Sequence, residues 1–75
     1  MIQMERNMKP VNSSNLRSVG YNPMSETLTI QFHDGRIYEY YHVPQHVYNG
    51  LMLAPSKGKY HHRYIKNSYP YKRIR

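Results

Sequence analysis

The chain predicts an α+β fold: a three-stranded antiparallel β-meander followed by two short α-helices packed on one face, in the order βββαα. Three observations predict it. Apolar and polar residues alternate on both sides of an Asp34-Gly35 turn, which marks a central hairpin. A strand-like run, Leu16 to Tyr21, precedes that hairpin. After Val43-Pro44 the apolar spacing lengthens from two to the three-to-four of a helix.

Met1 to Pro10 (MIQMERNMKP) has no pattern and reads as a disordered lead-in, leaving residues 11–75 as a single domain. Asn12-Ser13-Ser14-Asn15 is a turn-forming cluster. No acid or base pattern accompanies Ser13 and Ser14, so their hydroxyls are assigned to local backbone bonds rather than to catalysis. Leu16 to Tyr21 follows as a first, edge strand. Gly20 within it points to a bulge or a close backbone approach. Asn22-Pro23-Met24-Ser25 turns the chain into the hairpin.

In the hairpin, Leu28, Ile30 and Phe32 share one side of the first strand, and Arg36 to His42 is its partner. Two registers compete. A two-residue Asp-Gly loop pairs Ile30 with Glu39 and puts a carboxylate on the apolar face. A three-residue His-Asp-Gly loop, closed by a Gly bulge, pairs Ile30 with Tyr38 and Leu28 with Tyr40. A slip of one residue turns every side chain over. Burying an unpaired carboxylate costs several kcal/mol, so the second register is expected. Ile37, Glu39 and Tyr41 then face outward or toward a second layer.

Pro44 suits the first turn of a helix. Val47, Leu51 and Ala54 recur on one side of it, and Ala54-Pro55 stops it. Gly50 should weaken this helix by about 1 kcal/mol relative to Ala. Ser56 is a candidate cap for a second helix from Lys57 to about Lys66, whose inward stripe is His61 and Ile65, flanked by Tyr60 and Tyr64. Tyr69-Pro70-Tyr71 breaks it, and Lys72-Arg73-Ile74-Arg75 is a basic end.

Seventy-five residues make one domain with a small core. With no Cys, neither a disulfide nor a thiolate metal site reinforces it, which fits a cytoplasmic location. No apolar run approaches the ~20 residues of a membrane span, so no membrane partner is expected. Nine Tyr and a single Phe foreshadow a core of ring bodies with wet hydroxyls, in a monomer or weak homodimer. His42 and His46 are four apart, but Pro44 lies between them. His61 and His62 are adjacent, and no acidic residue follows Glu39. These spacings match no zinc signature, so no metal, no cofactor and no enzymatic activity are expected.

The charge is lopsided. Residues 1–39 carry four basic and four acidic side chains, while residues 40–75 carry the other seven basic ones and no acid, which is the whole formal charge of +7. Such asymmetry points to an anionic partner, nucleic acid first. Lys57, Lys59, Arg63, Lys66, Lys72, Arg73 and Arg75 are the candidate phosphate contacts, and Tyr60, Tyr64 and Tyr71 the candidate stacking platforms. The Gly58 backbone is a further candidate for a phosphate. A protein-interaction or homodimerisation module, using an edge strand or the Ile37/Tyr41 face, is the alternative. Salt separates the two, since phosphate binding weakens steeply with added salt and apolar contact does not.

The succession SSNLRSVGY, LTIQFHDGRIYEYYHVP, VYNGLMLAPSKGKY and YPYKR resembles the KTSC domain, over about Val11 to Arg75. That family is named for its occurrence at the C-terminus of some lysyl-tRNA synthetases, and it also occurs as small stand-alone bacterial proteins. The matching motifs are Tyr38-x-Tyr40, Val43-Pro44, Ser56-x-Gly58-x-Tyr60 and the Tyr-Pro-Tyr end. The resemblance implies the fold, and for activity it implies only the RNA binding usually suggested for the family. After Tyr60 the family commonly has Phe then Asn, where this chain has His61-His62. His61 is thereby expected at a partly buried aromatic position with looser packing.

Overall fold

The structure is a computed structural model that describes residues 8–75. The elements in order are β1 (Lys9–Pro10), β2 (Leu16–Asn22), β3 (Thr27–Phe32), β4 (Ile37–Tyr40), α1 (Gln45–Leu53), α2 (Lys57–Tyr60), a π-helical turn (His61–Ile65) and β5 (Tyr71–Arg73). The α+β class holds, but the sheet has five antiparallel strands in sequence order rather than three. Both additions are short and lie at the edges. Lys9 and Pro10, expected in a disordered lead-in, pair with Val19 and Ser18, so β2 is an inner strand and not an edge. Residues 1–7 of that lead-in lie outside the described residues. The basic end pairs with β4, Tyr71 opposite Tyr40 and Arg73 opposite Tyr38.

The hairpin register is the expected one: Ile30 faces Tyr38 and Leu28 faces Tyr40. The Phe32 N–H donates to the Arg36 carbonyl and the Gly35 N–H to the Phe32 carbonyl, each at 2.9 Å, which closes the three-residue His33-Asp34-Gly35 loop. Gly35 has φ +96°, a region that a Cβ disfavours. Glu39 stays out of the core and accepts a hydrogen bond from the Tyr41 hydroxyl at 2.9 Å. In β2 the register shifts between Leu16 and Ser18 rather than at Gly20. The residue left over lets Leu16 and Val19, three apart, both reach the core.

The helices cover one face of the sheet. Leu16, Val19, Leu28, Ile30, Val43, Leu51 and Ile65 are fully enclosed between the layers. Each such side chain contributes roughly 1.5–3 kcal/mol of burial free energy. α1 runs from its cap at Pro44 to Ala54, as the spacing of Val47 and Leu51 predicts. Its one glycine has a packing reason. A Cβ on Gly50 would meet Cζ of Tyr60 at 2.8 Å, so the missing side chain lets the second helical segment lie against the first.

That second segment is not one α-helix. The Lys66 N–H donates to the His61 carbonyl at 2.8 Å, a bond spanning five residues. The wide turn keeps His61 and Ile65 inward while His62, Arg63, Tyr64 and Lys66 remain exposed. Among the described residues, no helix is long and apolar enough to cross a membrane.

Candidate nucleic-acid interface

A groove opens where three segments meet: the β3–β4 hairpin, the Ser13–Asn15 loop and the α2–π segment. Local bonds fix the loop. Ser13 Oγ accepts the Asn15 and Leu16 N–H groups at 3.2 and 3.1 Å, the backbone role expected of that serine. His33, in the hairpin turn, then ties the loop down twice. Its N–H donates to the Asn15 carbonyl at 3.1 Å, and its Nε2 donates to the Ser13 carbonyl at 2.8 Å. Asn15 is thereby held at the mouth of the groove, its amide against Gly58.

The groove has two connected parts. The inner part, about 490 Å³, is lined by Phe32, Arg36, Tyr38, His61 and Lys66 among others. The outer part, about 680 Å³, is lined by Ser56, Lys59 and Arg63. Ser14, Asn15, Gly58 and His62 border both, so the two are continuous.

Aromatic rings make the inner floor. Phe32 meets Tyr38 edge-on at 5.9 Å and His61 at 5.4 Å, and Tyr40 meets His61 at 5.5 Å. The Tyr40 hydroxyl and His61 Nε2 lie 2.8 Å apart, and the bond satisfies both buried polar atoms. Burial holds the His61 imidazole down at about 4, helped by the positive Lys66 and by His62. Burial likewise pushes the Tyr40 phenol up to about 12. His61 is 8% exposed, deeper than the partly buried position expected, and the hydroxyl across from it accommodates the polar ring.

Arg36 lies over this floor, its guanidinium carbon 5.2 Å from the Phe32 centroid and 5.9 Å from that of Tyr38. Asp34 orients it through a 2.8 Å ion pair to Nε. The Arg36 backbone N–H, and after it the guanidinium, hold the Asp34 carboxyl below its ordinary range. Among the described residues, Asp34 is the one acidic residue lining the groove, and it is already paired.

The seven candidate cations do not form one surface. Lys59, Arg63 and Lys66 line the groove. Lys57 turns back, its Nζ donating to the Ala54 carbonyl at 3.0 Å, where it caps α1. Lys72 stands opposite Glu39, so alternation along β5 places it on the sheet face away from the helices. Arg73 is opposite Tyr38, on the helix side; its Nε donates to the Arg75 carbonyl at 3.1 Å, and the Arg75 backbone pairs with Ile37.

The candidate stacking tyrosines also divide. Tyr60 is half-buried, packed over Gly50 and against Tyr64 at 4.8 Å. Tyr64 is 50% exposed and lies beneath Arg63. Tyr71 is 58% exposed and extends the ring cluster at 5.7 Å from Tyr38 and 5.8 Å from Tyr40. The Gly58 backbone is flanked by the Asn15 amide.

Asn15, Phe32, Arg36, Tyr38 and His62 are groove residues outside the candidate set. They come from segments far apart in the chain and share no spacing. The one available signal was Arg36, the only cation beside the hairpin turn and adjacent to its aromatic alternation.

Comparison with known proteins follows the same outline. A crystal structure of a KTSC domain protein from Yersinia pestis superposes with a TM-score of 0.85 at 36% identity, covering 91% of this chain and 96% of that one. A lysine–tRNA ligase of Nostoc sp. is 42% identical over 67 residues, which are 89% of this chain but 12% of the ligase; the chain thus spans about an eighth of the length of such relatives. A protein of Stutzerimonas stutzeri is 40% identical over 63 residues, 83% of this chain and 89% of that protein. The KTSC domain pattern itself matches residues 12–69, which take in the hairpin, both helical segments and the groove between them, and the chain therefore belongs to the KTSC domain family.

Proposed function

We propose that this domain binds single-stranded RNA, or another single-stranded nucleic acid, without catalysis, along the groove between the hairpin and the α2–π segment. One observation carries the reading. Lys59, Arg63 and Lys66 border a continuous groove in which, among the described residues, the sole carboxylate is Asp34, already paired with Arg36. Cations without acidic partners neutralise phosphates and release counterions. The exposed rings of Tyr64 and Tyr71 add sequence-tolerant surfaces. The ligases that share this domain are, by name, proteins that act with tRNA, which agrees with an RNA partner. The reading narrows the interface to the groove cations and leaves Lys57 and Lys72 to structure and to the opposite face.

The test is a polarisation titration of labelled single-stranded RNA, duplex RNA and heparin at two salt concentrations. Single-stranded RNA should bind tightest at low salt and weaken steeply as salt rises. Binding of RNA that is insensitive to salt would show that phosphate neutralisation by Lys59, Arg63 and Lys66 does not carry it, and no binding at low salt removes the proposal.

A further inference from the structure

Resting on that reading, we infer that the inner part of the groove takes one unstacked nucleotide, with its base among Phe32, Tyr38 and Arg36 and its phosphate at Lys66 and His62. The dimensions suit it: about 490 Å³ falls within the range of small-ligand sites.

The lining is of the three kinds a nucleotide needs. Flat groups come first. Phe32 and Tyr38 are a ring floor in mutual edge contact, and the Arg36 guanidinium over it is a plane already oriented by Asp34. Unpaired bases stack on both rings and guanidinium planes. A hydrogen-bonding edge comes second. The Asn15 backbone is fixed by Ser13 and His33, while its side-chain amide has no hydrogen-bond partner among the described residues. That amide carries both a donor and an acceptor, which the edge of a base can meet. Cations come third, and their placement is asymmetric. Lys66 borders the inner part, and Lys59 and Arg63 border only the outer part, so neighbouring phosphates have a track leading out.

A duplex keeps its bases stacked inside and cannot offer one to this cleft; a single strand can. The groove therefore reads the presence of a base, not only a line of charge.

The test compares two fluorescein-labelled strands about ten nucleotides long, within the usual site sizes: oligouridylate and the same backbone with every base removed. The full chain should bind the abasic strand about tenfold more weakly. Asn15→Ala, a surface change, and Tyr38→Leu should each bring oligouridylate toward the abasic affinity, while Lys72→Ala, on the other face of the sheet, should change neither affinity. Equal affinity for the two strands overturns the one-nucleotide cleft and leaves backbone binding standing. If neither strand binds, the nucleic-acid reading falls with it.

Discussion

The hydroxyl of Tyr40 and Nε2 of His61 lie 2.8 Å apart in the interior, joining β4 to the π-helical turn. The pair fills what an apolar ring would otherwise fill, and it does so with two groups whose charged forms the site rejects. His61 is held at about 4 and Tyr40 at about 12. Its placement beneath the inner groove makes it the support on which Phe32 and Tyr38 rest.

Acid should destabilise this domain in a defined window. The folded His61 titrates at about 4, below its ordinary 6.5, so between those values the unfolded chain binds the extra proton. The stabilisation is fully present above pH 6.5 and is lost as pH falls toward 4. The full shift corresponds to about 3 kcal/mol, and partial screening by solvent reduces what the fold loses. Urea unfolding across that range should show the loss, and His61→Phe should flatten it.

Tyr40 and His61 should be energetically coupled. Tyr40→Phe leaves the imidazole without its partner, and His61→Phe leaves the phenol without its own; each should cost about 1–3 kcal/mol. The double variant should cost less than the sum by about 1 kcal/mol or more, because no buried polar atom is left over. Additive losses in denaturant titrations would show that the bond contributes nothing.

Gly50→Ala should destabilise, against the helix-propensity trend. The added Cβ runs into the Tyr60 ring. Crowding of this kind costs about 1–3 kcal/mol, against a propensity gain of about 1 kcal/mol. In a Tyr60→Leu background the sign should reverse, which thermal melts of the four proteins would reveal.

The cations should separate by face. Lys59→Ala, Arg63→Ala and Lys66→Ala should each lower the slope of log affinity against log salt by about 0.7 for single-stranded RNA. Lys72→Ala, on the other face of the sheet, should leave both affinity and slope where they were. An equal loss from Lys72→Ala would mean that net charge, not the groove, holds the strand.

The hairpin register was legible because a single residue decides it. Glu39 is tolerable on only one face, so Ile30 had to meet Tyr38. α1 was legible because its start, stop and inward stripe are all local. β1 and β5 were not. Two and three residues have no periodicity to read, and they become strands only because β2 and β4 offer unpaired backbone to them. The groove was half legible. Lys59, Arg63 and Lys66 stood in the basic half of the chain, whereas Asn15, Phe32, Arg36 and Tyr38 reach the same groove only through folding.

By itself, then, the order of residues determined the class of fold, the central register, the family and the sign of the charge. Each of these depends on neighbours a few positions apart or on a sum over the chain. Tertiary structure alone decided which cations share a surface, that Lys72 leaves it, that Lys57 is spent on a helix end, and that Tyr40 closes over His61. The reason is geometric. Alternation in a strand and the pitch of a helical turn set where a side chain points, but only the packing of sheet against helix sets what it meets.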